Sequence, residues 1–381
     1  MPPFDGITTP AVTVQFFKSG TWTTVTTTDL IKINLRRGRT QQNDRDQTGL
    51  SVIIFNNTSG YYDPDNTSAS SPWVVSGASI LRDGLQMRIV ATIGGTPYYL
   101  YYGFLEETKV DQGEAPAVTM TFVDGIAYIA DAQAPALAAA ANAESAATRV
   151  GRMLDIVGWP GGASRSLTGT VNMLATVQNR SCMSMIFQAV DAIAGRFYIS
   201  RNNVATLVPL ADKFSRPTQL LFTDTGASNT VGYMQLYTNP GTYFVVNQAV
   251  INRTNTTKQY TSTYNPSVSA YGIAKTVIDA PVATDSNAQN LALYESRKNA
   301  TPDTYVERID FNGLTVGTYG ALYPDFLSTE LGDQISVVRT TYDGRTNQYN
   351  LVVEGMAFEI TQNNWMVYYT TSAINPYSIT I

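Results

Sequence analysis

Two stretches decide how this chain is read: Gly84-Leu85-Gln86-Met87-Arg88-Ile89 and, near the end, Gly332-Asp333-Gln334-Ile335-Ser336-Val337. The first runs on through Gly94-Gly95 to Tyr99, Gly103 and Phe104, then to a further strand at 118–122. The second runs on through Asp343-Gly344 to Val352, Gly355 and Met356, then to a closing strand at 365–369. Met87, Ile89 and Ala91 fall on one side with Arg88 and Val90 on the other, and Ile335, Val337 and Arg339 repeat the two-residue step of a strand. Gly94-Gly95 and Asp343-Gly344 supply the positive φ angles that tight hairpins need. Glycine inside a strand marks a bulge or a close backbone approach, so Gly103 and Gly355 are expected to bend their strands toward barrel closure. Because glycines, turn and closing strand keep their order, the two stretches read as one antiparallel β unit used twice.

At 381 residues the chain has room for two or three domains with real cores. Only 14% of residues are charged, so the surface is polar through Thr, Asn, Ser and Tyr rather than ionic. A net charge of −5 argues against a nucleic-acid clamp, which needs a basic stripe to displace counterions from phosphate. No apolar run approaches the roughly 20 residues of a membrane span, and the start, Met1-Pro2-Pro3-Phe4-Asp5, does not read as a signal peptide. The expectation is a soluble protein made in the cytoplasm.

Histidine is absent, which excludes Ser-His-Asp and Cys-His catalysis and every His-ligated metal site. The single cysteine, Cys182, falls in an expected amphipathic helix and reads as a buried small hydrophobe rather than a nucleophile. Any chemistry left would rest on carboxylates, hydroxyls or lysine. No catalytic, cofactor-binding or metal-ligating residue is assigned, and no cofactor is expected.

In chain order, Val12, Val14 and Phe16 alternate before a Ser19-Gly20 turn, and Ile31 and Ile33 lead through Leu35 into Arg36-Arg37-Gly38-Arg39. Two aspartates interleave with the arginines that follow, in Asn43-Asp44-Arg45-Asp46, so a solvated mixed-charge loop is preferred to a partner contact or a phosphate site. Asp63, Asp65 and Thr67 have the alternate spacing of calcium ligands. The loop lacks the glycine and distal Glu of an EF-hand, and Pro64 fits a plain turn. Asn-x-Ser/Thr matches at Asn57, Asn66 and Asn252 carry no weight in so Thr-rich a chain.

A helix is expected from Pro135 through the alanine-rich run to Val157, ended by Gly158-Trp159-Pro160-Gly161-Gly162. A second runs from Ser184 to Ile193, followed by a hairpin turning at Arg201-Asn202-Asn203. Strands resume from Phe214, with a good strand from Tyr243 to Ile251 that places Val245, Asn247, Ala249 and Ile251 on one side. The Thr- and Tyr-rich segment 254–269 reads as a long exposed hairpin or loop. Asp285 or Ser286 caps a third helix with Ala288, Leu291, Ala292 and Glu295 on one face. The tail 376–381 alternates and could pair with a neighbour. The fold expected is mainly β with an α+β insertion: a first barrel in 1–132, a helical α+β domain in 133–212, and a second barrel in 213–381 that carries a helix and a long polar loop.

The series Arg37-Gly38-Arg39, Gly49, Asn56-Asn57 with Gly60, Asp63-Pro64 and Asn66, Ser71-Pro72-Trp73, Gly84, Arg88-Ile89 and Tyr102-Gly103-Phe104 resembles the minor tail proteins of long-tailed bacteriophages. Those are similar in turn to the tail-tip and baseplate hub family. Val246-Asn247, Tyr271-Gly272, Leu331-Gly332-Asp333 and Val353-Glu354-Gly355 leading to Trp365 extend the likeness through the second half. The resemblance implies tail-tube-like barrels and a non-enzymatic virion protein at the tail tip, assembled in the host cytoplasm. It implies a homotrimeric hub between the sixfold tail tube and threefold fibres or spike, forming part of the DNA ejection channel. The partners it implies are the distal tail or tail tube protein, fibre or spike proteins, the tape measure protein and double-stranded DNA in non-specific passage. Three copies with two barrels each give six similar units around a sixfold tube.

Two other readings stay open. One is a module that binds or hydrolyses host-wall carbohydrate, for which Glu106, Glu107, Asp124 and Asp131 near Tyr98 and Tyr102 are the carboxylates at hand. Adjacent residues on a strand face opposite ways, so Glu106 and Glu107 cannot flank one bond without a bulge. The other is a sixfold distal-tail ring, a family that usually lacks a second barrel copy.

Overall fold

A computed structural model describes residues 9–41, 44–134, 143–175, 180–225, 229–241, 245–254, 256–302, 304–316 and 321–374. The first barrel contains β1 (Ala11–Lys18), β2 (Thr21–Thr24), β3 (Leu30–Gly38), β4 (Gln47–Asn56), β5 (Gln86–Ile93), β6 (Thr96–Asp111) and β7 (Ala117–Val123). A middle unit follows with α1 (Gly125–Asp131), α2 (Ala146–Val157), α3 (Cys182–Ala192), β8 (Arg196–Ile199) and β9 (Ala205–Val208). After β10 (Thr218–Thr223) and β11 (Gln235–Asn239) the chain makes an excursion: β12 (Gln248–Arg253), β13 (Gln259–Thr263), α4 (Asn265–Tyr271), β14 (Lys275–Ala280) and α5 (Asp285–Glu295). It returns through β15 (Tyr305–Asn312), α6 (Tyr323–Ser328), β16 (Gln334–Thr340), β17 (Thr346–Thr361) and β18 (Asn364–Ala373). The protein is mainly β with an α+β insertion.

The two quoted stretches fold alike. β5-β6-β7 and β16-β17-β18 are antiparallel meanders whose middle strands are each 16 residues long. Gly84 N–H donates to the Leu105 carbonyl at 2.8 Å and Leu105 N–H to Leu85 at 2.9 Å; Gly332 donates to Val353 and Val353 to Asp333 at the same two distances. Both leading glycines need a positive φ, +84° and +89°, which explains their presence. The next residue of the middle strand is bulged out of the following ladder in both copies, Glu106 and Glu354. Beyond the meander the order continues in parallel: β7 pairs β4 and β4 pairs β3, while β18 pairs β15 and β15 pairs β11. Ile53 and Phe55 on β4, like Ile309 and Phe311 on β15, are fully buried. The copies part at one edge, where β1 joins β5 antiparallel but β10 joins β16 parallel.

The register corrects the equivalence of the second glycines. Gly103 lies opposite Met87, and the residue opposite Ile335 is Leu351. Gly355 instead occupies the place of Glu107, just after the bulge, whereas Gly103 sits between bulges. A Cβ there would meet the Tyr101 ring at 2.6 Å and the Val123 carbonyl at 2.8 Å, so close packing requires that glycine.

Both barrels share one hydrophobic cluster, rich in aromatic rings. Phe16 meets the edge of Trp73 at 5.0 Å and Phe55 stacks on Tyr62 at 4.7 Å; in the second barrel Phe311 meets Phe222 and Tyr369 edge-on, both at 5.1 Å. Each such ring, removed from water, stabilises by about 1.5–3 kcal/mol. A second cluster gathers α1, α2, α3, β8 and β9 with Ile251, Ala280, Val282, Ala288, Leu291 and Ala292 of the excursion.

Among the helices, α2 starts later than Pro135; residues 135–142 lie outside those described, as does the tail 376–381. Ser145 caps α2 through Thr148 N–H at 3.1 Å and Gly158, at φ +74°, ends it. α3 begins at Cys182, two residues upstream of the expected start, and is capped by Ser181. Thr284, rather than Asp285 or Ser286, caps α5 by accepting from Asn287 N–H at 3.2 Å. The segment 254–269 is not one long loop. β13 pairs with β12, as threonines at alternate positions suit a pleated edge, and Pro266 then opens α4. Among the described residues no helix is long and apolar enough to cross a membrane.

Candidate functional site: the seam between the barrels

β17 is long enough to serve both barrels. Its first half, through Val352, pairs with β16, and from Gly355 to Thr361 the same edge pairs with β3 of the first barrel, Gly38 opposite Gly355 and Lys32 opposite Thr361. The strands cross closely at the changeover. A Cβ on Gly355 would sit 2.2 Å from the Arg39 carbonyl oxygen, and one on Gly38, already at φ +86°, 2.4 Å from that of Glu354. Arg39 N–H donates to the Glu354 carbonyl at 2.9 Å.

Alternation along β3 then turns Leu35 and Arg37 inward, 3% and 5% exposed, and Arg36 outward. Buried guanidinium needs partners, and the seam supplies them. Arg37 Nη1 donates to Glu330 Oε1 at 2.9 Å, and its Nη2 to the Ile199 carbonyl of β8 at 2.8 Å. Glu330 Oε2 accepts from the backbone N–H and the Nε of Arg201, at 3.1 and 3.3 Å. Arg201 also reaches the carbonyls of Leu327 and Thr329. Burial pushes the Glu330 carboxyl up, but Arg37 and Arg201 outweigh it and hold the group at about 2.

A second charged group lies beside the first. Asp46 accepts from Arg196 Nε at 3.0 and 2.9 Å on its two oxygens, and from Arg39 Nε at 3.3 Å. The bulge at Glu354 aims its carboxylate at the same place, 3.4 Å from Arg196 and 3.5 Å from Arg39, while Ser372 Oγ donates to its other oxygen at 2.6 Å. Burial lowers the Arg196 pKa, and the facing Asp46 and Glu354 more than restore it, so it is always charged. A cavity of about 440 Å³ opens alongside, lined by Arg39, Arg196, Tyr198, Arg216, Glu295 and Glu354, with both signs of charge. The first barrel, the middle unit and the second barrel each contribute charge to the seam, which fixes their mutual arrangement.

The arginine run is therefore not a solvated loop. Arg37 lies in a strand and Arg39 is half-buried, paired with Glu330 and with Glu354 far along the chain, and Arg39 also with the nearby Asp46. The calcium-like loop is closed on itself: Asp63 accepts from Asp65 N–H at 2.9 Å and Asn66 Nδ2 donates to Gly60 at 2.8 Å. Among the described residues no group of three acidic or cysteine side chains is placed to hold a metal. Glu106 and Glu107 sit at a bulge and are both exposed, Glu107 pairing with Lys109 at 3.3 Å. Asp131 is also exposed. Asp124 is buried and caps α1 by accepting from Ile126 N–H at 3.0 Å. Burial pushes Asp124 up to about 7 against the backbone N–H groups of Gly49 and Ile126. These carboxylates do not converge on a cleft. Cys182 is fully buried at the start of α3, and burial raises its thiol.

Sequence reasoning missed Asp46, Arg196, Arg201, Glu330 and Glu354 as seam residues. A signal existed: Arg37-Gly38-Arg39 and Glu354-Gly355 are glycines flanked by opposite charge, as expected where two backbones cross and their neighbours pair.

No protein-family model and no curated protein matches the chain. Solved structures do, over nearly its whole length. A tail protein from Neisseria meningitidis MC58 is similar at a TM-score of 0.63 and 9% identity, with 96% of this chain and 97% of that one covered. The 43 kDa tail protein of prophage MuSo2 from Shewanella oneidensis is similar at 0.59 and 9%, again over 96% and 97%. The prophage tail protein gp18 from Listeria monocytogenes EGD-e follows at 0.52 and 10%, over 95% of each chain. At such identities the likeness is one of fold: barrels and middle unit together follow the architecture of those tail proteins.

Proposed function

We propose that this chain, which shares its fold with phage tail proteins from end to end, is a structural component of a virion tail and acts as a trimeric hub at the tail tip. The observation that carries the reading is the repeated meander, with the same Gly84/Gly332 hydrogen bonds and the same glutamate bulge in both copies. Three such chains place six similar barrels in a ring, which matches a sixfold tube on one face and leaves a threefold arrangement for fibres or a spike on the other. The distal tail or tube protein, the fibre or spike proteins and the tape measure protein are the partners in this reading. Few cations overall, 25 Lys and Arg against 30 Asp and Glu, suit a passage that holds phosphates weakly as DNA leaves.

The seam is the device that makes the reading physical. It locks one first-type barrel to one second-type barrel within a chain through a continuous sheet and buried ion pairs, so the pair moves as a unit. The expected stoichiometry is three, read as the mass of the purified chain in solution. A ring of six chains, or a monomer at every concentration, contradicts the hub.

A further inference from the structure

The seam inside the chain is also a template for a contact between chains, and this inference rests on the trimeric reading above. β5 covers β6 only as far as Phe104; from Glu107 to Asp111, β6 pairs with β7 on one side and, among the described residues, with no strand on the other. The corresponding half of β17, Gly355 to Thr361, is the part that β3 covers. β11, the counterpart of β3, pairs with β15 on one side and, among the described residues, with no strand on the other. One molecule thus displays a β17-like edge on its first barrel and a β3-like strand on its second.

Side chains on both strands reach solvent. The Glu107 and Lys109 side chains are 51% and 70% exposed, and Tyr237 on β11 is 44% exposed. β11 reads Gln-Leu-Tyr-Thr-Asn, with none of the charges that ordinarily guard a free edge against pairing. We propose that β11 of one chain adds antiparallel to residues 107–111 of the next chain, in the register that β3 uses on β17.

That register follows from the pairings. Asn34 faces Glu359 across the seam and Val52 on its other side. Val52 faces Thr121, which faces Glu107 just after the first bulge; Arg308 faces Thr370, which faces Gly355 just after the second. Tyr237, opposite Arg308, therefore holds the place of Asn34. Asp111, opposite Ala117, holds the place of Glu359, opposite Met366. The transferred pairs are Tyr237 with Asp111, Thr238 with Val110 and Asn239 with Lys109. The contact is head-to-tail: each chain offers a different edge to each neighbour, and such contacts close into a ring when the rotation permits. Unpaired N–H and C=O groups on both edges gain partners, as in strand addition generally.

Two double variants of the full chain test this: Lys109→Cys with Asn239→Cys, and Asp111→Cys with Tyr237→Cys. The native thiol, Cys182, is fully buried and does not compete. Under mild oxidation both are expected to give disulfide-linked species ending at three chains on a non-reducing gel, with each single variant giving none. Assemblies with the mass of three chains but no interchain bond in either variant overturn the edge pairing and leave the trimeric reading standing. Linked chains growing past three uphold the pairing and overturn the three-copy ring. A chain that stays monomeric and unlinked at high concentration overturns both.

Discussion

The Gly355→Ala variant is expected to lose about 3 kcal/mol or more of folding stability, because the new methyl has no place to go. Its Cβ would lie 2.2 Å from the Arg39 carbonyl and 3.4 Å from that of Arg37. Both obstacles are backbone, which cannot swing aside as a side chain can. Relief requires β3 to move off β17, which breaks the Arg39 hydrogen bond to Glu354 and shifts Arg37 and Arg39 away from their carboxylates. Gly161→Ala is the matched control. Gly161 has ordinary negative φ and nothing within 4 Å of an added Cβ, so its effect should stay within about 0.5 kcal/mol. Urea midpoints of the two variants measure the difference, and equal midpoints would show that the seam is looser than the register requires.

Glu330→Gln is the second large effect. It leaves Arg37 and Arg201, with side chains 3% and 8% exposed, facing a neutral amide. Breaking a buried pair in this way costs about 3–5 kcal/mol. The pH dependence gives an independent sign. Glu330 is held at about 2, below its usual 4.5, so its contribution is present above pH about 4.5 and is lost as pH falls through about 2. The gap between wild type and variant should therefore be full at neutral pH and close as pH approaches 2. A gap that is absent at pH 7, or that persists unchanged through acid, contradicts the assigned role.

What the sequence made legible follows from how local the cause was. The repeat could be read because strand alternation, the turn glycines and Gly84 and Gly332 are decided within a few residues. α3 and α5 could be read from the spacing of Ile186, Val190 and Ile193 and of Ala288, Leu291 and Ala292, all of them buried, although their caps, Ser181 and Thr284, lie upstream of the starts expected. The seam was hidden for the opposite reason. Arg37 and Glu330 are joined by the fold and not by spacing, so the arginine run looked like a solvated loop until Glu330, ahead of β16, and Glu354, on β17, were brought against it. Gly103 and Gly355 looked equivalent by order alone, and only hydrogen-bond register separates close packing at the one from strand crossing at the other. The excursion 246–300 carries Ile251, Leu291 and Ala292 into the core of α2 and α3, a long-range choice that composition does not encode.

The central claim is that one polypeptide carries two similarly built barrels, so that three molecules imitate a hexagon. The most direct measurement is an averaged end-on image of the purified assembly. The account predicts six lobes of similar size around a central opening, with alternate lobes distinguishable so that the true symmetry is threefold. Six identical lobes built from six chains, or lobes that do not surround an opening at all, would contradict it.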